Sequence, residues 1–323
     1  MFPDCLRHRQ TAILNQDRRL CGRSVFSSSK YPIRGTGDEV QAGSSKLVSR
    51  VNAIAEGLFA TLFPSDCRLC GTPLVNISRL PVCEDCLSAM RPISGGVCYI
   101  CGERLVSGHA FSNGEAEAKC GLCQRESPAF ARALAYGSYE GGLRELIHLL
   151  KYEQVRPASN VLGRMLGEVI STLEPSLGPN VMVVPVPLHA RKMRQRGFNQ
   201  SELIARAALK AWKPTKSLVI SPHVLQRDRE TVSQIGLTRN QRRENIRGAF
   251  NVTAPEEVAG HEILLMDDVL TTGTTASECA RILRRAGAAK VWVATVARTL
   301  KHDNAFADFE SETETGIALA AHG

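Results

Sequence analysis

The feature that most limits the possible folds of this chain is an apolar run followed by two acids and a hydroxyl-rich loop, residues 263–275 with the sequence ILLMDDVLTTGTT. The run at 263–266 predicts a strand buried on both faces, as in a parallel sheet. Thr275 and Glu278 fit a capping box, and the following apolar spacing predicts a helix over 275–286. A strand, a turn and a helix start in this order predict an anion site, because free backbone N–H groups and the helix dipole face the turn.

The acid pair Asp267 and Asp268 restricts the kind of anion that fits. Two carboxylates repel a bare phosphate, whereas the hydroxyls or the bound divalent cation of a sugar phosphate suit them. An ordinary strand end with polar turn residues is the alternative interpretation. A Walker A loop is excluded for this stretch, since it contains no Gly-Lys-Thr.

The stretch resembles the phosphoribosyl pyrophosphate (PRPP) motif of type I phosphoribosyltransferases. The resemblance implies that Asp267 and Asp268 hold the ribose 2′- and 3′-hydroxyls, that the loop wraps the 5′-phosphate, and that Mg²⁺ is bound through the pyrophosphate. The loop residues are Thr271, Thr272, Gly273, Thr274 and Thr275.

Strand-like and helix-like segments alternate over the rest of the second half of the chain. This alternation predicts an α/β fold, a parallel sheet flanked by helices, which binds ligands at the carboxyl ends of its strands. Residues 214–250 are polar, basic and poorly periodic, and we expect a functional loop there. The predicted strands are 129–139, 181–186 and 291–296, and the predicted helices are 143–152, 161–170 and 201–211.

Eight of the eleven cysteines form four Cys-x-x-Cys pairs between residues 67 and 123. Each set of two pairs has the spacing of a tetrahedral Zn²⁺ site, so the pattern predicts about two structural zinc ions that replace an apolar core. Sequential pairing is the simpler arrangement and crossed pairing remains open, while redox chemistry would expect a single motif. The predicted ligands are Cys67, Cys70, Cys83 and Cys86 in one set and Cys98, Cys101, Cys120 and Cys123 in the other.

The positive charge of the chain is concentrated in one segment. Residues 185–250 hold 14 Lys and Arg against 4 Asp and Glu, whereas the cysteine region 64–124 holds five against six. Such a field attracts pyrophosphate or nucleic acid, although a solvated basic face is the alternative. The charge balance of the cysteine region favours a scaffold over a nucleic-acid contact.

A second group of candidate residues follows the predicted strand at 181–186. In type I phosphoribosyltransferases the corresponding position carries the pyrophosphate loop, and Arg191, Lys192, Arg194 and Arg196 have the charge to hold a pyrophosphate. The resemblance therefore implies a PRPP site that includes Pro187, Leu188, His189, Arg191 and Arg194. It also implies a mobile hood, for which the candidates are Arg227, Thr231, Gln234, Arg239 and Arg242.

Taken together, these motifs resemble the competence protein F (ComF) family, the amidophosphoribosyltransferase-like proteins. The resemblance implies a link to DNA uptake, a PRPP-binding fold, and single-stranded DNA and competence proteins as partners. Lys151 and Arg196 are the residues that we expect to give direct cationic help. The resemblance covers residues 58–300 and rests on two zinc ribbons, Leu150-Lys151-Tyr152, Val-Pro-Val-Pro at 184–187, Arg-Gly-Phe-Asn-Gln at 196–200 and the acid-pair motif.

Four segments are expected along the chain. Residues 1–48 are Arg- and Ser-rich and predict a disordered extension, with a transit peptide as the alternative. Residues 49–124 predict a helix with a double zinc ribbon, 125–302 a phosphoribosyltransferase-like domain, and 303–323 a flexible acidic tail. No apolar run is long enough to span a bilayer, and thiols that bind zinc suit a reducing cytoplasm.

Three functions are compatible with this pattern. The first is phosphoribosyl transfer from PRPP to an acceptor. The second is a PRPP or nucleotide sensor without turnover, and the third is an accessory protein that handles single-stranded DNA. Glutamine amidotransferase activity is not expected, because Phe2 stands where such enzymes have a nucleophilic cysteine.

Overall fold

The computed structural model describes residues 65–74, 78–105, 118–212, 215–231 and 239–300. The expected extension and the helix that opens the ribbon module lie outside these residues, as do Gln234 and the tail. Of Arg239 only the backbone is described.

Five parallel strands form the central sheet in the order β1-β7-β6-β2-β3. A separate antiparallel pair, β4 with β5, lies in the segment between β3 and β6. The strands are β1 (Arg132–Ser138), β2 (Asn180–Pro185), β3 (Ser217–Ile220), β4 (Leu225–Arg227), β5 (Phe250–Val252), β6 (Glu262–Leu270) and β7 (Lys290–Arg298).

Helices connect the strands and cover both faces of the sheet. They are α1 (Glu84–Ser88), α2 (Gly121–Arg125), α3 (Gly141–Tyr152), α4 (Ala158–Leu173), α5 (Ala190–Arg196), α6 (Gln200–Ala211), α7 (Arg239–Ile246), α8 (Pro255–Val258) and α9 (Thr274–Arg285), with a 3₁₀ turn at Glu174–Ser176.

Alternation along the strands divides the buried residues into two cores. Leu264 and Met266 of β6 face the core formed with α3, α4 and α6. Ile263 and Leu265 face the second core, to which α9 contributes Cys279. Because successive side chains of a strand point to opposite faces and both faces are covered here, residues 263–266 of β6 must all be apolar.

The predicted α/β fold is confirmed, and most predicted elements agree with the structure within a few residues. Two expectations were wrong. The strand predicted at 263–266 continues through both acids to Leu270. The segment 214–250 contains β3, β4, α7 and β5. Leu218 and Ile220 of β3 pack against the first core, whereas Leu225, Ile246 and Phe250 are buried in the second, so burial rather than a regular period sets the apolar positions.

The cysteine region docks on the β1 edge of the sheet. Ile93 N–H donates to the Tyr136 carbonyl at 2.7 Å, and Ala133 N–H donates to the Ile100 carbonyl at 2.7 Å. The edge strand thereby gains backbone partners on its open side. Among the helices in the described ranges, none has both the length and the hydropathy that crossing a bilayer requires.

Candidate functional site

The acid pair lies at the carboxyl end of β6, in the middle of the sheet. Val186 N–H, just after β2, donates to the Met266 carbonyl at 2.8 Å. The end of β2 therefore lies directly beside the acids. Asp268 is only 4% exposed, whereas Asp267 is half-buried. The two carboxyl groups also interact with each other, and each shifts the pKa of the other.

Asp268 forms an ion pair with Lys151, which projects from the last turn of α3. Burial opposes ionisation of Asp268, but the Lys151 ammonium outweighs it and holds the pKa of the carboxyl below its ordinary value. Burial likewise opposes the charge of Lys151, and the Asp268 carboxylate raises the pKa of the amine. Arg196 also lowers the pKa of Asp268, so this arginine lies within electrostatic range of the acid.

Asp267 accepts two hydrogen bonds, from Ser201 Oγ at 2.8 Å and from the Asp268 backbone N–H at 2.9 Å. Burial and the neighbouring Asp268 charge nevertheless raise the pKa of Asp267 to about 8. Sequence reasoning missed Ser201, which is 1% exposed in the first turn of α6. A hydroxyl two residues after the helix-capping Asn199 was the only available signal.

The loop after β6 has the geometry of an anion site. Gly273 is the N-cap of α9 with φ 74, a left-handed conformation that favours glycine. The first turn of α9 carries no acidic residue. The positive end of the helix dipole therefore faces the loop without a neutralising charge from the helix. Thr272 and Thr274 hydroxyls hydrogen bond to each other at 2.8 Å.

The predicted capping box was wrong. The helix begins at Thr274, one residue earlier than expected, so Thr275 is inside its first turn. The Glu278 carboxylate accepts a hydrogen bond from Gly248 N–H at 2.9 Å and pairs with Arg281. Glu278 thus ties α9 to the segment after α7.

The predicted pyrophosphate loop, Pro187 to His189, follows β2, and α5 begins directly after it. His189 is the N-cap of α5, where its Nδ1 accepts from Arg191 N–H at 3.4 Å. The Arg191 guanidinium pairs with Glu230 at 3.3 Å, and Arg194 is exposed on the same helix. The loop and the start of the cation cluster therefore adjoin the acid pair.

Arg196 is the last residue of α5. Its guanidinium donates to the Gln200 side chain and lies 5.7 Å from the ring centroid of Tyr152. Burial together with the charges of Arg227 and Arg196 lowers the pKa of Lys192. These cations therefore converge from two segments of the chain.

The predicted hood residues are only partly described. Arg227, at the end of β4, donates to the Thr231 hydroxyl and lies 5.3 Å from the Phe250 ring centroid. Thr231 is buried, and Arg242 is half-buried on α7. Burial lowers the pKa of Arg227, and the Asp267 charge opposes this shift.

The eight paired cysteines form two four-sulphur clusters with sequential pairing, so the crossed arrangement is excluded. Zn–S bonds of about 2.3 Å in a tetrahedron require sulphurs about 3.8 Å apart. The Sγ–Sγ distances are 3.7 Å for Cys70–Cys83 and 3.7 Å for Cys101–Cys120. The sulphurs therefore already have the spacing of zinc ligands, and the two sites are structural because four thiolates leave no open position.

The two ribbons repeat one local design. Asp66 bridges Pro73 in the first ribbon, and Val97 bridges Arg104 in the second, at equivalent positions around the first Cys-x-x-Cys of each. The second pair of each ribbon starts at the N-cap of a short helix.

The residues near the acid pair do not form a ready-made Mg²⁺ site. Asp268 is paired with Lys151 and Asp267 with Ser201. Within the described ranges, only the two cysteine clusters bring together three or more metal-ligating side chains. A Mg²⁺ ion near the acid pair would therefore take most of its ligands from a bound pyrophosphate and from water, as this ion prefers.

Comparisons with known proteins agree with this architecture. The model of the double zinc ribbon domain matches residues 58–126, and that of the phosphoribosyl transferase domain matches residues 206–308. The DNA utilization protein YhgH of Salmonella typhi is 33% identical over 239 residues, which are 73% of this chain and 98% of the relative. YhgH of Escherichia coli K12 is 31% identical over the same shares. Competence protein F of Haemophilus influenzae is 28% identical over 67% of this chain and 96% of the relative.

Proposed function

Because this chain belongs to the competence protein F family, we propose that it binds PRPP with Mg²⁺ at the carboxyl edge of its sheet and transfers the phosphoribosyl group to an acceptor. In the transfer the C1–oxygen bond to pyrophosphate breaks and a bond to the acceptor forms. Pyrophosphate leaves with Mg²⁺.

One geometric relation carries the proposal. The acid pair Asp267–Asp268, the loop at 271–275 and the loop at 187–189 adjoin one another at the ends of β6 and β2. A ribose held by the acids would have its 5′-phosphate on the first loop and its pyrophosphate on the second. The N-terminus of α9 supplies N–H groups to the 5′-phosphate.

Lys151 and Arg196 have different roles in this proposal. Lys151 keeps Asp268 ionised inside the fold, so that Asp268 can accept a ribose hydroxyl. Arg196 lies within electrostatic range of the same acid, and its charge would stabilise the negative charge that develops on the leaving pyrophosphate. Catalysis would be largely electrostatic, with the cations positioned before the bond breaks.

Ser201 is a positioning residue in the same mechanism. Its hydroxyl donates to Asp267 Oδ1 and thereby fixes one carboxylate oxygen. The other oxygen is left to accept a ribose hydroxyl. Since α6 begins just after α5, which follows the pyrophosphate loop, Ser201 connects this part of the chain to the acid pair.

The test replaces both acids. The double variant Asp267→Asn, Asp268→Asn removes the charge but keeps the side-chain shape, and we expect PRPP·Mg²⁺ affinity measured by calorimetry to fall by at least about 100-fold, some 2.7 kcal/mol. Glu256→Gln, an exposed acid on α8, is the matched control and should bind like the unchanged protein. Unaltered affinity in the double variant would remove the assigned roles.

A second candidate function is supported by a specific surface. Tyr152 is 66% exposed, and Arg196 lies over its ring, beside the cations of α5. Aromatic rings next to arginines bind single-stranded nucleic acid, and several relatives carry names that refer to DNA utilization or competence. Competence proteins are the corresponding protein partners.

One comparison separates the candidates. PRPP·Mg²⁺ and single-stranded DNA are titrated separately, and pyrophosphate release is followed with a mixture of nucleobases. PRPP binding with release supports the transferase, and PRPP binding without release supports a sensor. DNA binding that weakens steeply with salt, without PRPP binding, supports the accessory function. The eight zinc-site thiols favour a reducing compartment for any of these functions, and we propose the cytoplasm.

A further inference from the structure

The second zinc ribbon touches the sheet through a buried arginine at the end of β7. Arg298 is 4% exposed, and its Nη2 donates to Glu103 at 2.9 Å and lies 3.8 Å from Cys101 Sγ. Cys101 is a predicted zinc ligand, and Glu103 follows it by two residues. The Nε and Nη1 atoms of Arg298 are buried and have no hydrogen-bond partner.

The charges explain why an arginine occupies this position. Four thiolates around Zn²⁺ carry a net charge of about −2, and the Glu103 carboxylate adds another negative charge. A buried cation beside them lowers the cost of this concentration of negative charge, whereas the same cation without them would be strongly unfavourable. Arg298 and the zinc-bound ribbon therefore stabilise each other.

The backbone of Arg298 lies where three strands end. Its carbonyl accepts from Tyr139 N–H at 2.8 Å, just after β1. In the sheet, Arg298 is the register partner of Leu270 of β6. The Leu270 carbonyl accepts a hydrogen bond from Thr299 N–H at 3.0 Å. Leu270 is the residue directly before the loop at 271–275. The backbone at Arg298 and Thr299 is thus hydrogen-bonded to the residue at which that loop starts.

The ribbon and the loop also face a common cavity of about 630 Å³. Cys101 and Arg298 line it on one side, and Thr272 and Thr274 line it on the other. The zinc site and the phosphate loop therefore lie on opposite walls of one cavity. Arg298 connects them non-covalently, through its side-chain contacts with Cys101 and Glu103 and through the backbone pairing of β7 with β6.

We propose that Arg298 is a positioning residue through which the zinc-bound second ribbon fixes the phosphate loop. The inference rests on the proposed PRPP site. When zinc leaves, the Cys101–Glu103 segment loosens and Arg298 loses its buried partners. The end of β7 then moves, and the N–H groups of the loop no longer converge on the 5′-phosphate.

A matched pair of arginines tests the proposal. Arg132 also contacts the second ribbon, 4.5 Å from the Tyr99 ring centroid, but it lies at the amino end of β1. We expect Arg298→Met to weaken PRPP·Mg²⁺ binding about tenfold and to accelerate release of one zinc to a chelator. Arg132→Met should leave PRPP affinity unchanged. Arg298→Lys, which keeps the charge next to Glu103, should recover part of both properties.

A double-variant cycle distinguishes coupling from independent damage. Cys120→Ser removes the second zinc site and should also weaken PRPP binding about tenfold. The double variant Cys120→Ser, Arg298→Met should bind PRPP no more weakly than either single variant, because both changes interrupt the same connection. Glu84→Gln, an exposed residue of the first ribbon that is not a zinc ligand, is the control and should preserve PRPP affinity. Circular dichroism verifies that each variant is folded.

The outcomes separate this inference from the proposed function. Additive losses, or PRPP affinity that is insensitive to the second zinc, would overturn the coupling while leaving the PRPP site intact. If the unchanged protein does not bind PRPP, the proposed function fails and the coupling to the phosphate loop fails with it. The rate of zinc release would then still show whether Arg298 stabilises the ribbon, because zinc should leave Arg298→Met faster than Arg132→Met.

Discussion

At the scale of single residues, the acid pair shows how one local sequence produces two chemical environments. Asp268 faces Lys151 and ionises easily, while Asp267 is shielded and has a pKa raised to about 8 by burial and by Asp268. The Lys151 charge and the interaction between the two carboxyl groups produce this difference in pKa. One member of the pair is thus a stable carboxylate, and the other can change its charge near neutral pH.

The raised pKa of Asp267 predicts a pH-dependent stability. Folding favours the protonated form of Asp267. The contribution of this group to the free energy of unfolding is therefore fully present below about pH 4 and is lost as the pH rises through about 8. Asp267→Asn copies the protonated shape at every pH. The melting temperature of the variant, relative to the unchanged protein, should therefore rise from pH 5 to pH 9.

The neighbouring acid should behave in the opposite way. Asp268 has a lowered pKa, and its contribution is present above about pH 4 and lost only on acidification. Asp268→Asn also leaves the Lys151 charge without its partner, so it should lower the melting temperature at pH 7. Equal pH profiles for the two variants would contradict the assignment.

Residue identities near the site were predictable to different degrees. The motif at 263–275 supplied the acids and the loop because strand, acids and turn are contiguous. Ser201 and Arg298 were missed, since each acts on a residue far away in the sequence and has no local pattern. Only the fold brings Ser201 to Asp267 and Arg298 to Cys101.

At the scale of elements, hydrophobic periodicity identified the longer helices and the buried strands. It did not identify β3, β4, α7 and β5. Each of these elements is eight residues long or shorter, too short to establish a period. The sequence did not predict that β6 extends past residue 266, because acidic residues after an apolar run are also typical of the start of a turn. Tertiary burial overrode both local signals.

Helix packing supplies an element-scale prediction. α4 lies tightly against α6, where a Cβ on Gly163 would be 2.6 Å from Ala207 Cβ and 2.9 Å from the Ala208 backbone nitrogen. Gly163→Ala should therefore destabilise the protein by about 1–3 kcal/mol, although such a change usually stabilises a helix. Urea unfolding measures the difference.

The control for this variant lies in another helix. A Cβ on Gly121, in α2, would come within 4 Å of only one atom, an Arg125 side-chain nitrogen at 3.9 Å. Gly121→Ala should leave the urea midpoint unchanged or raise it slightly. If Gly163→Ala and Gly121→Ala change the urea midpoint equally, the close approach of α4 and α6 does not restrict the side chain at position 163.

At the scale of the whole molecule, the ribbons and the sheet are parts of one packed structure. Cys67, Leu80, Val82 and Met90 of the first ribbon belong to the same core as α3 and α4. The sequence alone predicted the two zinc sites from their spacing. It could not predict this docking, because no pattern in the cysteine region specifies the face that it covers.

Zinc removal should therefore affect more than the ribbons. We expect about two zinc ions per chain. Chelation should increase hydrogen exchange in the ribbons and also in α3, where Gly142 lies against Leu69 and Met90. The central strands β6 and β7 should remain protected. A zinc content near zero in freshly purified, reduced protein, or unchanged exchange in α3 after chelation, would argue against this organisation.

The two backbone hydrogen bonds from β1 to the ribbons have a practical consequence for dissecting the molecule. A fragment that starts after the second ribbon would expose the outer edge of β1, together with the apolar surface that Met90 and its neighbours cover. Exposed strand edges of this kind pair with strands of other chains, and the protein then aggregates. The sheet of this protein should thus be handled with its cysteine-rich portion attached, as a single unit of folding.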